Sequence, residues 1–205
     1  MDVVEVWPEV RHLRWQFADL IESLDERAWS LPSWCEGWRV RDVLAHLVHL
    51  AEATQLSMAA DMIRGGLRPD RTLREAARRL GDVPVAELTH RLRAAADGRY
   101  HVLGSPAAVA LGEVLVHGAD ALRPLDLELD GPPSDAARVL DAYWRIGQFA
   151  FHGAPHKGLT LKATDFDWAK GRGPEVRGRA IDLLLLVANR RQVLPCLVGP
   201  GLTEL

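Results

Sequence analysis

The chain has 205 residues, 48% of them hydrophobic and 26% charged, with a formal net charge of −3. Those proportions describe an ordinary globular chain, long enough to bury its own core without staples. No basic block and no alternation of basic and aromatic residues occurs, so nucleic acid is excluded as the expected partner.

The first residues, MDVVEVWPEVRH, include the acids Asp2 and Glu5 and no long apolar core, unlike a secretory signal. VWPEVRHLRWQFADLIESL places Val10, Leu13, Phe17, Leu20, Ile21 and Leu24 at a helical period, with Pro8 near its start. A loop, WSLPSWCEGW, follows with three tryptophans, a proline and a glycine. RVRDVLAHLVHLAEATQLSMAADMI then reads as one long second helix ended by Gly65 and Gly66. LREAARRL is a short helix, and VAELTHRLRAAADGRY a third long one. Ser105 and Pro106 read as an N-cap and first helical position for AAVALGEVLVHGADAL, which Pro124 stops. Four long helices with short or medium links predict a four-helix bundle over residues 1–150.

SDAARVLDAYWRIGQFAF reads as a fifth helix, after which the texture changes. LTLKA and the segment around Glu175–Arg177 are β-like, and AIDLLLLVANRR closes the pattern as a helix. Residues 151–205 therefore form an expected small α/β appendage packed on the bundle, in a protein that is mainly α. The apolar run IDLLLLVA is interrupted by Asp182 and falls short of the roughly 20 residues that span a bilayer. Cys35 and Cys196 stand too far apart for a local metal clip and suit a reducing compartment, so a cytoplasmic location is expected.

Two helices carry the same oddity. Glu113, His117 and Asp120, spaced by four and three, form a narrow polar stripe on a helix otherwise covered by Val109, Leu111, Val114, Leu115, Val116 and Leu122. Asp42, His46 and His49 repeat that spacing among Val43, Leu44, Leu47, Val48 and Leu50. Either stripe alone reads most simply as the wet side of a helix. Together, facing each other inside a bundle, they bring a histidine from one helix to a Glu/His pair on another, the way bundle cores build metal sites. Two imidazoles, one carboxylate and an open position suit zinc in a catalytic site, and other divalent metals nearly as well.

The stretch SWCEGWRVRDVLAHL, with GEVLVHGADALRPL far downstream and the tail LKATDFDWAKGRGPEVRGRAIDLLLLVANR, resembles the mycothiol-dependent maleylpyruvate isomerase family of the DinB-like superfamily. The resemblance covers nearly the whole chain. It implies a DinB-like four-helix bundle and a divalent metal, usually zinc, held by His46, Glu113 and His117. His49 is the competing ligand or a supporting residue, and Asp120 could orient an imidazole through its free N–H. Asp42 reads as a first-turn acid favoured by the helix dipole. Trp34 and Trp38 are candidates for a pocket mouth. Arg39 stands where relatives often have Thr or Ser, which leaves the second helix without its usual N-cap.

The family further implies mycothiol, or a similar low-molecular-weight thiol, as cofactor or co-substrate. A thiol bound to the metal loses its proton near neutral pH, and the thiolate attacks a small electrophile, giving an isomerase or an S-transferase. Carboxylates on such a substrate would need cations, for which Arg39, Arg41, Arg123, Arg145 and Arg179 are available. Cys35 reads as structural, because spacing supplies neither a nearby histidine nor a helix start. A zinc-dependent hydrolase on the same bundle and a non-catalytic metal-binding helical protein are the alternatives. A thiol and a small electrophile are the expected partners, with no membrane. The oligomeric state stays open, a homodimer being common for such bundles.

Overall fold

The computed structural model describes residues 5–66, 68–146 and 156–205, apart from the side chains of residues 69–71. Helices dominate, with one small three-stranded sheet. The chain divides into two compact units, Met1–Asp130 and Gly131–Leu205. The expected boundary between residues 150 and 151, and the end of the fifth helix from residue 147, lie outside the described residues.

The first unit is the bundle. The helices that pack together as its core are α1 (Trp7–Glu22), α3 (Val40–Glu52), α6 (Val85–Ala94) and α7 (Ala108–Leu122). Helix α1 packs on α6 and α7, and α3 on α6 and α7. The seam buries Val10, Leu13, Phe17 and Ile21 against Leu44, Leu47, Leu88, Leu92 and Leu111. Each such side chain contributes about 1.5–3 kcal/mol by leaving water. The short α2 (Glu26–Trp29) follows α1, and α5 (Pro69–Gly81) covers the outside of α3.

Two local expectations need correction. The long second helix is two helices, α3 and α4 (Gln55–Arg64). Ala53 and Thr54 are extended between them, and Thr54 caps α4 by accepting from the Ser57 N–H at 3.1 Å while its own N–H donates to the Ser57 hydroxyl at 2.8 Å. A reciprocal cap satisfies helix-start donors that an unbroken helix would not expose. Ser105 is likewise no N-cap for α7. Its hydroxyl donates back to the Val102 carbonyl at 2.6 Å, and α7 starts three residues later without a side-chain cap.

Arg39 does precede α3 without an acceptor of its own, and Asp42 supplies the missing half. Its carboxylate accepts the Arg39 backbone N–H at 2.8 Å and the guanidinium at 2.8 and 3.0 Å. Helix α3 therefore starts on an ion pair between the half-exposed Arg39 and the buried Asp42 rather than on a hydroxyl.

In the second unit, α8 (Pro133–Ile146) packs on α9 (Ala180–Val187). The sheet has the order β2-β1-β3, with β1 (Thr160–Ala163) antiparallel to β2 (Ala169–Gly171) and parallel to β3 (Glu175–Gly178). Asp165 caps α9 through the Ala180 N–H at 2.8 Å. No helix among the described residues is long and apolar enough to cross a membrane.

Candidate metal centre

Of the α3 stripe, His46 meets the stripe of α7 inside the bundle. His46 is 2% exposed, and its Nε2 lies 3.4 Å from Oε2 of Glu113. One turn along α7, Nε2 of His117 lies 3.4 Å from the same oxygen. The two imidazole rings sit edge-on at 4.6 Å between centroids. Donor atoms of His46, Glu113 and His117 all fall within 4.8 Å of one another, a group that could hold a metal ion.

The donor chemistry fits a divalent metal. Ligand bonds of about 2.0–2.1 Å arranged tetrahedrally put neighbouring donors about 3.4 Å apart. Both Glu113–imidazole distances have that value, which is long for a hydrogen bond but natural for two ligands of one ion. The far side of His117 is fixed. Its Nδ1–H donates to Oδ2 of the fully buried Asp120 at 3.0 Å, leaving the Nε2 lone pair for a metal. The far nitrogen of His46, Nδ1, is buried without a hydrogen-bond partner among the described residues.

Electrostatics in the metal-free chain separates the two imidazoles. Burial pushes His46 down to about 4, against the pull of Glu113, so it is neutral at pH 7. Burial also disfavours charge on His117, but the hydrogen bonds to Asp120 and Glu113 outweigh it and raise it to about 9. Burial alone would raise Glu113; its contacts with His117 and His46 win and hold the carboxyl well below its usual range. The cluster thus rests as an imidazolium between two carboxylates, one cation holding the place of another.

The remaining sequence candidates are distributed as follows. His49 is not in this group: its Nε2 lies 3.5 Å from Oδ2 of Asp61 on α4. Trp38 is buried behind the imidazoles, 5.0 Å from the His46 ring and stacked 6.0 Å from the His117 ring. Trp34 donates its backbone N–H to the Asp120 carbonyl at 2.8 Å, and the Arg123 guanidinium lies over its ring at 5.8 Å. Cys35, structural by its spacing, has its sulfur in a 4.8 Å neighbourhood with donor atoms of His117 and Asp120. The loop fold that achieves this, with Ser33 bridging to Cys35 and Trp38, leaves no periodic trace in sequence.

Beside the cluster lies a cavity of about 290 Å³ that both His46 and Glu113 line. Its walls are largely apolar, with Leu50, Met58, Met62, Leu73 and Val109 among them. Neither Trp34 nor Trp38 lines it, because both lie on the Asp120 and imidazole-ring side of the cluster. None of Arg39, Arg41, Arg123, Arg145 and Arg179 lines it either. The first is bound to Asp42, the second to the Val83 carbonyl, the third to Glu128 and the last to Asp182. The cation in the wall is Arg14 of α1, which is not among the sequence candidates. Its signal was present: among Val10, Leu13, Phe17, Ala18 and Ile21 it is the polar member of an otherwise apolar stripe.

Residues 10–110 match the family model described as mycothiol maleylpyruvate isomerase N-terminal domain, a span that includes His46 and stops short of Glu113 and His117. Among solved structures, the chain is similar to the crystal structure of the mycothiol-dependent maleylpyruvate isomerase, with 15% identity, a TM-score of 0.60, and 98% of this chain and 94% of that one covered. A histidine-to-alanine mutant of that isomerase gives 14% identity, the same TM-score and the same coverage. At such identities the likeness is one of fold. A search of the curated proteins gives no match. Residues 10–110 thus carry the mycothiol maleylpyruvate isomerase N-terminal domain, in a chain whose mainly helical fold is similar to that of the solved isomerase.

Proposed function

We propose that this protein is a metal- and thiol-dependent isomerase or S-transferase acting on a small electrophile, with mycothiol or a similar thiol as co-substrate. The observation that carries the reading is the convergence of His46, Glu113 and His117 on one point at the edge of a largely apolar cavity. The family model, described as the mycothiol maleylpyruvate isomerase N-terminal domain, and the solved relative, described as mycothiol-dependent, support the choice of thiol.

His46, Glu113 and His117 would hold the metal, most simply zinc. When bound, the metal supplies a Lewis acid that brings a thiol to its nucleophilic thiolate form at neutral pH. The chain's own residues do the rest. Asp120 fixes the tautomer and the plane of His117, and Trp38 blocks ring rotation from behind. Leu50, Met58 and Val109 keep water from the face where sulfur and electrophile would meet. Tyr100, in the cavity wall, has its phenol held above the ordinary range by burial and by Glu113, so it remains a donor. Two cysteines as far apart in sequence as Cys35 and Cys196 suit a reducing, cytoplasmic setting.

Elemental analysis of the purified, untagged protein beside His117→Ala tests this. Near-stoichiometric divalent metal in the wild type, lost in the variant, is the expected result, followed by turnover of electrophiles that requires added thiol. A wild type that takes up no metal on reconstitution would sink the reading. Turnover independent of thiol would move it to a metal-dependent hydrolase.

A further inference from the structure

Among the described residues, Arg14 is a cation without an anion. It is 3% exposed and sits in the apolar stripe of α1. Its Nη1 donates to the carbonyls of Ala96 at 3.0 Å and Gly98 at 2.7 Å. Its Nε is buried with no hydrogen-bond partner, and among the described residues Nη2 has none. No carboxylate among the described residues stands within ion-pair distance, and Asp97, itself 3.6 Å from Arg11, acts on it only from farther away. Burial lowers the guanidinium to about 10, which still leaves it charged at neutral pH.

Burying an unpaired charge is expensive unless something compensates it. Tying down the loop at residues 96–98 uses one end of the side chain. The Nε–Nη2 edge left over has the fork geometry that matches a carboxylate with two parallel hydrogen bonds. Arg14 lines the same cavity as His46 and Glu113, while Met58, Met62 and Leu73 give that cavity its apolar surface.

We propose that this cavity takes an amphiphilic monocarboxylate, its carboxylate on the free edge of Arg14 and its apolar body against Met58, Met62 and Leu73. The inference rests on the catalytic reading above only in taking this molecule as the electrophilic substrate. A compact dicarboxylate is disfavoured, because one of its charges would lie against apolar walls. Val102, exposed on the loop before α7 and itself in the cavity wall, gives an apolar approach to it.

Binding to the full chain, followed by titration calorimetry, uses octanoate, its neutral isostere octanamide, and maleate as probes. Octanoate should bind the wild type roughly tenfold or more tightly than octanamide or maleate. Arg14→Gln should lose that preference and keep its affinity for octanamide. His117→Ala, lacking metal, should still bind octanoate. Equal affinity for octanoate and octanamide in the wild type would overturn the proposal. So would octanoate binding lost in His117→Ala but kept in Arg14→Gln, which would put the carboxylate on the metal. A wild type without metal would end the catalytic reading while leaving the octanoate comparison intact. Should Arg14→Gln not fold, Val109→Trp, which fills the cavity, must abolish octanoate binding; survival there overturns the proposal equally.

Discussion

Asp120, with no exposed side-chain surface, accepts the Nδ1–H of His117 at 3.0 Å from one turn farther along α7. A carboxylate in that place makes the imidazole a stronger base and aims its other nitrogen at Glu113. Asp120→Asn keeps the shape and removes the charge. It should weaken metal binding by about 10–100-fold, read by competition with a chelator, while the helical circular dichroism stays unchanged. An unaltered affinity would reduce Asp120 to a helix-packing residue.

His46 and His49 separate cleanly. His46→Ala should lose the metal, whereas His49→Ala should retain it, because His49 faces Asp61 on α4. Metal content by mass spectrometry under native conditions decides. Loss in His49→Ala with retention in His46→Ala would reverse the ligand assignment.

The two imidazoles give opposite pH limbs in the metal-free chain. His117 is raised to about 9, so its contribution to stability is complete below the ordinary 6.5 and is lost as pH rises through 9. His46 is lowered to about 4, so its contribution is present above 6.5 and is lost as pH falls toward 4. Thermal melts of the apoprotein should show His117→Gln flattening the alkaline limb and His46→Gln the acid limb. Metal must also displace the His117 proton, so the apparent affinity should climb with pH and level off only above about 9. An affinity independent of pH between 6.5 and 9 would contradict the charged state of His117.

Asp42 holds the start of α3. Asp42→Ala removes the acceptor of the Arg39 N–H and the partner of its guanidinium. The loss should destabilise the chain by about 1–3 kcal/mol, seen as a melting point several degrees lower. Metal content of the folded fraction should be unchanged, since Asp42 lies outside the donor group.

The bundle was legible because α1, α3 and α7 bury nearly continuous apolar faces, so periodicity located them to within a few residues. The break at Ala53–Thr54 was not, because Leu56 and Met58 continue the apolar rhythm and a Thr–Ser cap looks like two tolerated polar residues. Strand β2 escaped because Ala169, Lys170 and Gly171 carry no β-branched or alternating signal; its pairing with β1 alone makes it a strand. In the site, spacing placed Glu113 and His117 on one face, but partnering them with His46 needed both stripes and the family motifs. The surroundings of Arg14 and Cys35 could not be read from the sequence, for a common reason. Each acquires its setting from residues far away in sequence, the Ala96–Gly98 loop in one case and α7 in the other.

Glycine 98 belongs to that setting. A Cβ there would lie 1.9 Å from the Ala51 carbonyl oxygen at the end of α3, so the loop that receives Arg14 can only pass at glycine. His46 and Glu113, for their part, stand 67 positions apart in the chain. An ion joining them would act as a reversible cross-link closing a long loop, and the unfolded chain could not form it without first paying the closure entropy. Free metal concentration would then set how tightly α3 and α7 stay docked, and starvation for the ion would be felt as loosened packing between two helices before it was felt as lost chemistry.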